Sequence, residues 1–564
     1  MKIRFVLVLF LLVWLMVGCN LLTEQVNNIV VTVETEEEDA ITETEDEPSV
    51  TVESDTSLLE ISTISHTSST ITFDWTFQDD DAIIDSLMIS YSGDQEEGID
   101  PASGTYSLSG LSSSTVYSIT FYAVDIAGGE WEKTTMTLST SSSSTSVEIE
   151  YISDAAGLAG MADDLAGSYF LTSDIDLDGV DWTPIGDDSS YFTGALYGND
   201  CTISNLTVGA LGSNYQGLFG YIYDGVVTDL TLDECTVYGG ESVGALGGYV
   251  YSSTISGCSV TDSSYVEGDG NSVGGLIGYS RYTSLVDCSS EADVTGGLNY
   301  TGGLIGYQVS GTLSGCYSTG TVNAGDGNYA GGLIGRVLYV NEITDCYSTS
   351  TVIGHENEDT YYLGGLIGGC YSATGSALIS ECYATGYIER GYSYCGGLIG
   401  SFNASVTIIN CFATGDVDGS CSNWSIGGLF GSFKSGTISD SYATGDVAGE
   451  SEVGGLIGEC SYSAEVTTSY SIGTASGTLT DSSGVGGLVG AVDDDNGTVT
   501  ISDCYYEEDS SASYDVDYGT SLSTSQMKSS ANYTNWDFSD TWVIDGTEAI
   551  NSGYPYLLDN APGL

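Results

Sequence analysis

The sequence predicts an all-β protein in which a right-handed parallel β-helix (a β-solenoid) follows a small β-sandwich. The 564-residue chain contains 76 Gly and 40 Tyr but only 5 Pro and 8 Lys+Arg, which favours short strands and tight turns over long helices. A glycine-rich string also recurs at a nearly constant interval, without helical periodicity between the copies. The predicted units are residues 1–19, 20–55, 56–143, 147–503 and 504–564.

The formal net charge of the chain is -71. Such a surface repels phosphate backbones and offers few cations to neutralise them, so nucleic acid is excluded as a partner. Anionic lipid headgroups and acidic polysaccharides are disfavoured as well, unless a divalent cation bridges. Solubility in a salty habitat is the preferred interpretation of the acidity, ahead of a dedicated cation-binding role.

The N-terminus is predicted to be a targeting signal. Lys2 and Arg4 precede the apolar residues 5–17, a stretch that suits a signal peptide and is too short to span a membrane as a helix. Met16-Val17-Gly18-Cys19 resembles a lipobox, and this resemblance implies that a lipid on Cys19 attaches the protein to a membrane. The expected location is the cell surface, on the outer membrane or extracellular face. The alternative is an ordinary secretion signal in which the cysteine is accidental.

Residues 20–55 are predicted to form a disordered acidic tether. Residues 34–39 and 43–47 are blocks of acidic side chains, and low hydrophobicity with charge repulsion favours an extended chain. The tether would hold the folded part away from the membrane.

Residues 56–143 show the pattern of a β-sandwich. Ile71, Phe73, Trp75 and Phe77 alternate with polar residues, as in a half-buried strand. Trp75, together with the approach from Leu111 to Tyr117, resembles a fibronectin type III domain, in which a tyrosine corner precedes a late strand. Residues 138–146 are predicted to be a flexible linker.

The repeat is the strongest signal in the sequence. Ten glycine-rich strings, most of them reading Gly-Gly-Leu-Ile-Gly, are separated by steps of 27 to 33 residues. They end at Gly220, Gly248, Gly278, Gly306, Gly335, Gly368, Gly400, Gly431, Gly458 and Gly490. A constant step without helical periodicity indicates a β-solenoid. Its rungs would stack about 4.8 Å apart, with Leu and Ile forming apolar columns. The paired glycines would serve a corner that needs positive φ or has no room for Cβ.

A column of cysteines is predicted between the glycine strings. Its members are Cys235, Cys258, Cys288, Cys316, Cys346, Cys382, Cys411 and Cys504, with Ser441 and Ser469 at two equivalent places. Because serine replaces cysteine there, buried thiols in tight inward positions are preferred over stacked disulfides. Strands are predicted around the glycine string, around this column and around the Thr-Val that follows it. Five further cysteines, at 201, 370, 395, 421 and 460, leave a disulfide open.

Tyr300, Tyr329, Tyr362 and Tyr394 each lie two residues before a glycine pair. In a solenoid, equivalent positions stack on one another, so the four are predicted to form an aromatic ladder.

These strings resemble the GLUG repeat family of bacterial surface proteins, adhesins and non-catalytic parts of immunoglobulin-A-cleaving metallopeptidases. The resemblance covers about residues 150–564, with entry strings such as Trp182-Thr-Pro-Ile-Gly186 and closing strings such as Gly553-Tyr-Pro-Tyr-Leu557. A solenoid also needs caps, because its end rungs expose unpaired strand edges. Residues 154–165, with Asp154 as N-cap, are predicted to form a capping helix at one end, and the Trp-rich tail is predicted to cover the other.

Catalysis finds little support in the sequence. The chain has two histidines, and His355-Glu356 is not followed by the second histidine of a metallopeptidase motif. The basic residues of the array share no register, as a β-helical lyase would require. Two acidic runs are candidate calcium ligands, although solvated loops are the preferred interpretation and no cofactor is predicted. They are Asp79, Asp80 and Asp81, and Asp493, Asp494 and Asp495.

Three functions remain open at this stage. The first is a lipid-anchored surface protein that binds a glycan or a protein, because aromatic and hydroxyl rows can stack on sugars or contact protein. The second is a structural spacer. The third is a carbohydrate-active β-helix enzyme, a lyase or a glycosidase, which fold alone does not justify.

Overall fold

The computed structural model describes residues 59–66, 69–77, 84–91, 95–99, 105–112, 115–125, 130–139, 147–355, 361–419, 424–478, 484–495, 497–508 and 518–561. Several predicted features lie outside the described residues: Cys19 with the lipobox, the acidic tether, Asp79, Asp80, Asp81, Cys421 and residues 140–146 of the linker. In the described part of the chain, no helix has the length and apolar character that a membrane crossing requires.

Two antiparallel sheets precede the repeats. One contains Leu59–His66, Thr70–Phe77 and Thr105–Ser109; the other contains Gln95–Ile99, Ile84–Tyr91, Val116–Asp125 and Glu130–Ser139, in that order. The rings of Phe73 and Phe121 meet edge to face with their centroids 4.9 Å apart, so the two sheets share an apolar core. The backbone N–H of Ser112 donates to the Tyr117 hydroxyl. The fibronectin type III assignment of this part stays a prediction.

The strand Val147–Ile152 joins this N-terminal part to the repeats. Val147 and Glu148 pair antiparallel with the end of Leu59–His66, and residues 149–152 pair parallel with Ser168–Leu171. A short helix follows at Ala155–Gly160, and the Asp154 carboxylate accepts the backbone N–H of Gly157, as predicted. The helix gives way to a 3₁₀ turn at Met161–Asp163, so it is shorter than predicted.

The repeats form a parallel β-solenoid, which confirms the predicted fold class. Equivalent strands of successive repeats pair in parallel, for example Ile277–Val286 with Ile305–Ser314. The main face contains Ser168–Leu171, Ile175–Asp176, Ala195–Ser204, Phe219–Tyr223, Val226–Asp233, Gly247–Tyr251, Thr254–Ser256, Ile277–Val286, Ile305–Ser314, Ile334–Thr344, Ile367–Ser380, Ile399–Asn403, Val406–Ile409, Phe430–Ser439, Ile457–Thr467, Val489–Asp493 and Thr500–Ser502.

Shorter strands complete each turn of the solenoid. Those after the cysteine column are Ser259–Val260, Ser289–Ser290, Tyr317–Ser318, Tyr347–Ser348, Tyr383–Ala384, Phe412–Ala413, Tyr442–Ala443, Tyr470–Ser471 and Tyr505–Glu507. A ten-stranded sheet contains Thr207–Gly209, Thr236–Gly239, Tyr265–Gly268, Asp293–Thr295, Val322–Asn323, Val352–Ile353, Ile388–Glu389, Val417–Asp418, Val447–Gly449 and Ala475–Gly477. An eight-stranded sheet contains Asn271–Gly274, Asn299–Gly302, Asn328–Gly331, Tyr361–Gly364, Ser393–Gly396, Trp424–Gly427, Val453–Gly454 and Val485–Gly486.

The paired glycines occupy a corner between two strands, as predicted, and the strand predicted around the string begins only at the Ile. In the repeat whose glycine string ends at Gly306, one strand ends at Gly302 and the next begins at Ile305. Leu304 and Ile305 are fully buried. A Cβ built on Gly302 would lie 2.0 Å from the Ile305 carbonyl oxygen, and one on Gly303 would lie 2.1 Å from the Gly332 carbonyl oxygen. Lack of room, rather than positive φ, therefore selects these glycines.

The C-terminal segment closes the last rung and then folds back along the side of the solenoid. Thr520–Leu522 pairs with Tyr505–Glu507, and a capping box starts the short helix Thr524–Met527. Two 3₁₀ turns, Ser530–Asn532 and Asn551–Gly553, and a hairpin of Trp542–Val543 with Tyr556–Leu557 follow. The amide of Asn560 reaches back to the carbonyl oxygen of Asn410. We call residues 523–560 the tail.

Candidate binding surface

Two columns of tyrosine lie side by side on the outside of the solenoid, and we call them together the tyrosine strip. The first column is Tyr221, Tyr249, Tyr279, Tyr307 and Arg336. The second is Tyr300, Tyr329, Tyr362 and Tyr394, which is the predicted ladder, and Tyr371 lies against it. All of these side chains are half-buried. The strip therefore runs across consecutive rungs of the main face and the eight-stranded sheet.

Within the first column the rings stack face to face. The centroids of Tyr221 and Tyr249 are 4.4 Å apart at an interplanar angle of 17°, and those of Tyr249 and Tyr279 are 4.5 Å apart at 9°. These distances follow the rung spacing of parallel strands. The next ring, Tyr307, turns edge-on to Tyr279, at 83°.

The second column stacks in the same way. The Tyr329 and Tyr362 centroids are 4.4 Å apart at 5°, and those of Tyr362 and Tyr394 are 5.1 Å apart at 6°. Tyr300 joins the two columns, because its centroid is 4.7 Å from that of Tyr307. Tyr300 and Tyr329 have φ of 63° and 65°, a region that bulky residues rarely adopt, so the corner imposes this conformation on whatever side chain stands there.

Mutual stacking decides which part of each ring a ligand can touch. A ring covered on both faces by its neighbours offers its edge and its hydroxyl, so the stacked tyrosines cannot receive a sugar on their faces as the sequence suggested. Burial raises the pKa of the Tyr307, Tyr329 and Tyr394 phenols. They therefore stay neutral at physiological pH and present hydroxyl groups able to donate and accept hydrogen bonds.

No member of the strip is a carboxylate, although the chain is strongly acidic. Beyond Tyr394 the second column continues with Ser425 and then Glu452. Beyond Arg336 the first column continues with Gly369, Ser401 and Ser432 and then Glu459. There Ser425 donates to Glu452 and Ser432 donates to Glu459. Burial raises the pKa of Glu452, and the nearby Glu459 carboxylate adds to the effect. A pair of carboxyl groups thus lies beyond the Tyr394 end of the strip, whereas the centre of the strip contains Arg336.

Trp424 lies beside the Tyr394 end of the strip and was not among the predicted site residues. Its register partner is Ser393, next to Tyr394, and 59% of the residue is exposed. Among the described residues it takes part in no ring stacking. Its position at the start of a strand in the glycine-string corner was the signal that could have found it.

A third aromatic column follows the cysteines on another side of the solenoid. It contains Tyr317, Tyr347, Tyr383, Phe412, Tyr442, Tyr470 and Tyr505. The first three members are half-buried, whereas the tail buries the last four. Trp542 stacks on Trp536 with a centroid distance of 4.3 Å and lies over Tyr442 and Tyr470.

Seven of the eight predicted cysteines, all except Cys235, share one buried column, and their thiols are free. The prediction was wrong for Cys235, because Leu230 holds the column position in that rung and Cys235 is level with Ser264, just before the ten-stranded sheet.

Each of the eight thiols donates to the carbonyl oxygen two residues earlier. The distance from sulfur to oxygen is 3.3 Å from Cys288 to Val286 and 3.1 Å from Cys382 to Ser380. Ser441 makes the same bond to Ser439 at 2.8 Å. Serine and cysteine exchange there because both are small and can donate this bond, although the position one rung before Cys258 holds Leu230.

We expect Cys235 and the column member Cys504 to resist alkylation in the folded protein. Burial raises the pKa of Cys235 and Cys504 to about 12, so at pH 8 both stay protonated, and the thiol is the unreactive form. Iodoacetamide labelling followed by peptide mass spectrometry should modify these cysteines only after denaturation. Labelling of the peptides that contain Cys235 or Cys504 in the native protein at pH 8 would contradict this expectation.

The remaining predicted site residues do not converge. Cys201, Cys395 and Cys460 are buried free thiols. Cys201 is level with Leu230 and therefore shares the register of the cysteine column, whereas Cys395 and Cys460 lie in other inward columns. Asp493, Asp494 and Asp495 are exposed, and the Asp495 backbone N–H donates to Asp493, as in a turn. Within the residues that the structure describes, no three His, Cys, Asp or Glu side chains are arranged to hold a metal ion.

Comparison with known proteins identifies the repeat. The GLUG motif matches residues 269–295 and 297–323, and each match contains one glycine string with the corner described above. The chain contains GLUG repeats. The other glycine strings of the array share the corner geometry of these two.

Two relatives match part of this chain. Halomucin of Haloquadratum walsbyi is 35% identical over 139 residues, which are 23% of this chain and 2% of halomucin. A putative Gly-rich membrane protein of Evansella cellulosilytica is 31% identical over 150 residues, which are 26% of this chain and 14% of that protein. This chain thus spans only a small part of the length of either relative.

Solved structures give a weak likeness only. The family 28 exopolygalacturonase of Yersinia enterocolitica aligns with 78% of this chain and 99% of its own length, at 9% identity and a TM-score of 0.22. A pectate lyase of Erwinia chrysanthemi in complex with tetragalacturonic acid aligns at 10% identity and a TM-score of 0.12, covering 83% of this chain and 97% of its own. Neither supports a conclusion about function.

Proposed function

We propose that this protein is displayed at the cell surface and binds glycans through the tyrosine strip. The observation that carries the proposal is a continuous run of half-buried phenols without carboxylates on a chain of net charge -71. Phenol edges and hydroxyls suit the alternating apolar and hydroxyl character of a sugar chain. The exposed side chain of Trp424 would offer a sugar the stacking surface that mutually stacked tyrosine rings lack.

The surface location rests on the sequence and on the relatives. Cys19 would carry the lipid, the acidic tether would separate the solenoid from the membrane, and the β-rich unit before the solenoid would act as a fibronectin type III-like spacer. A Gly-rich relative is named as a membrane protein, which agrees with an exported chain.

A glycan array tests the binding proposal. The full-length protein should bind at least one glycan class, and the double variant Tyr329→Ala/Tyr362→Ala should weaken that binding about tenfold, because it removes two neighbouring contact residues. Tyr347→Ala is the matched control. Its ring stacks on Tyr317 and Tyr383 at 4.9 and 4.8 Å, as in the strip, but on another side of the solenoid.

The same experiment can overturn the proposal. If the folded wild-type protein binds no glycan on a broad array, or if Tyr347→Ala weakens binding as much as the double variant, the strip is not the glycan surface. A structural spacer would then remain, and a spacer should keep its role when two whole rungs are deleted.

A carbohydrate-active enzyme is the second candidate, and the Glu452 and Glu459 pair favours it. One carboxyl with a raised pKa beside a second carboxylate is the arrangement that glycoside hydrolysis uses. Incubation with polysaccharide panels, with and without calcium, should release new reducing ends or unsaturated products if this is correct. Glu452→Gln should then abolish the products while leaving binding at the strip intact.

A further inference from the structure

Arg336 stands where the first tyrosine column would place its fifth ring. Its guanidinium carbon lies 5.0 to 5.5 Å from the ring centroids of four tyrosines, Tyr300, Tyr307, Tyr329 and Tyr371. Nη1 donates to the Tyr300 hydroxyl at 2.6 Å, and Nε is buried without a hydrogen-bond acceptor. The aromatic rings thus hold the guanidinium on its flanks, and its remaining N–H groups are those of the Nη1 and Nη2 edge.

This cation has no acidic partner within the described part of the chain. Arg390 pairs with Glu389 at 2.9 Å, and Lys528 pairs with Glu548 at 3.3 Å, whereas Arg336 forms no ion pair with any described residue. The sequence contains 79 Asp+Glu and 8 Lys+Arg, so a half-buried arginine that escapes pairing is unexpected. The stack alone does not require a charge at this place, because tyrosine fills it in the four preceding rungs.

We propose that Arg336 is the anion-recognising subsite of the tyrosine strip and that it pairs with the carboxylate of an acidic sugar residue. The inference rests on the proposed glycan binding and adds to it a ligand class. A guanidinium edge matches a carboxylate in two parallel hydrogen bonds. The surrounding rings exclude water and lower the local dielectric constant, which strengthens the attraction between the two charges. The neutral hydroxyls of Tyr300 and its neighbours would bond the sugar hydroxyls on either side.

Charge selects the kind of glycan further. The whole chain repels a densely charged polyanion, whereas one carboxylate placed among neutral sugars meets Arg336 without facing the acidic remainder of the surface. Arg281, two rungs toward the N-terminus, lies in the column beside the first tyrosine column, outside the strip, and stands over the rings of Tyr251 and Tyr282. The strip and the column beside it therefore carry two cations that are two rungs apart, which suits a sugar chain with well-separated acidic residues.

The test compares uronic-acid-containing oligosaccharides with the same oligosaccharides after reduction of their carboxyl groups. Wild-type protein in about 0.15 M salt should bind the acidic forms about tenfold more tightly than the reduced forms, the strength expected of one hydrogen-bonded charge pair. Arg336→Gln should abolish this preference and leave the affinity for the reduced forms within about twofold. Arg336→Lys, which keeps the charge and loses the planar edge, should retain part of the preference.

Arg390→Gln is the matched control, because it removes the same charge at a guanidinium that Glu389 already neutralises. It should leave the acidic preference unchanged, and thermal denaturation should show that each variant is folded. Equal binding of acidic and reduced glycans by the wild-type protein, or an undiminished preference in Arg336→Gln, overturns the inference while glycan binding itself stands. Binding of neither form overturns the proposed function instead.

Discussion

Trp542→Ala should detach the tail from the solenoid. The indole is fully buried, stacks on Trp536 and donates Nε1 to the Asp440 carboxylate at 3.1 Å. Removing it should cost about 3–5 kcal/mol of docking free energy, the range for a buried tryptophan truncated to alanine. Without the tail, the last four members of the third aromatic column, including Tyr442, become exposed. The variant should therefore lose its tail to limited proteolysis and bind the dye ANS.

Trp424→Ala is the control for that experiment. Trp424 is 59% exposed, so its loss should change neither proteolysis nor dye binding. The central apolar core of the solenoid is a separate cluster from the one under the tail, and we therefore expect the rungs to stay folded. A tail that remains protease-resistant in Trp542→Ala would show that its other contacts suffice.

Gly303→Ala should divide the solenoid at one rung. The new methyl group would lie 2.1 Å from the Gly332 carbonyl oxygen and 2.9 Å from the Ser318 Cβ, and neither a backbone oxygen nor a Cβ can move away by a change of side-chain rotamer. Since each rung contacts only its neighbours, the strain falls on a single interface. We expect a loss of at least about 3 kcal/mol and a less cooperative unfolding transition in urea.

Gly160→Ala provides the comparison for Gly303→Ala. Gly160 ends the short helix with φ of -62°, and a Cβ there would meet nothing within 4 Å. The substitution should leave the solenoid unchanged and stabilise the helix by about 0.5–1 kcal/mol. Equal unfolding midpoints for the two variants would mean that the corner tolerates a side chain and that the glycines have another role.

The solenoid could be predicted because its information is periodic. Gly302 and Gly303, Leu304 and Cys316 recur at one step, and stacking places recurring residues on one another. The Asp154 cap was equally visible, since capping depends on local sequence. The exact corner was not, because the close approach of Gly303 to Gly332 is a contact between repeats, and the sequence alone permits positive φ as an explanation just as well.

The candidate surface was harder to predict. Tyr300, Tyr329, Tyr362 and Tyr394 announced one column by their offset from the glycines, but the first column changes from Tyr307 to Arg336 and then to Gly369, so its continuity appears only in the fold. The tail packs across long separations, as when Asn560 bonds to Asn410. Such contacts follow no repeat and leave no local signature.

The shared strand Val147–Ile152 has a consequence for how molecules coexist on a crowded surface. Stacked parallel rungs are a template on which further chains could add end to end, the way fibrils lengthen. Here the first rung is paired with Val147–Ile152, which also pairs antiparallel with Leu59–His66, and one strand of the last rung pairs with Thr520–Leu522. Part of the strand edge at each end of the stack is therefore already occupied, which disfavours the end-to-end addition of a second molecule.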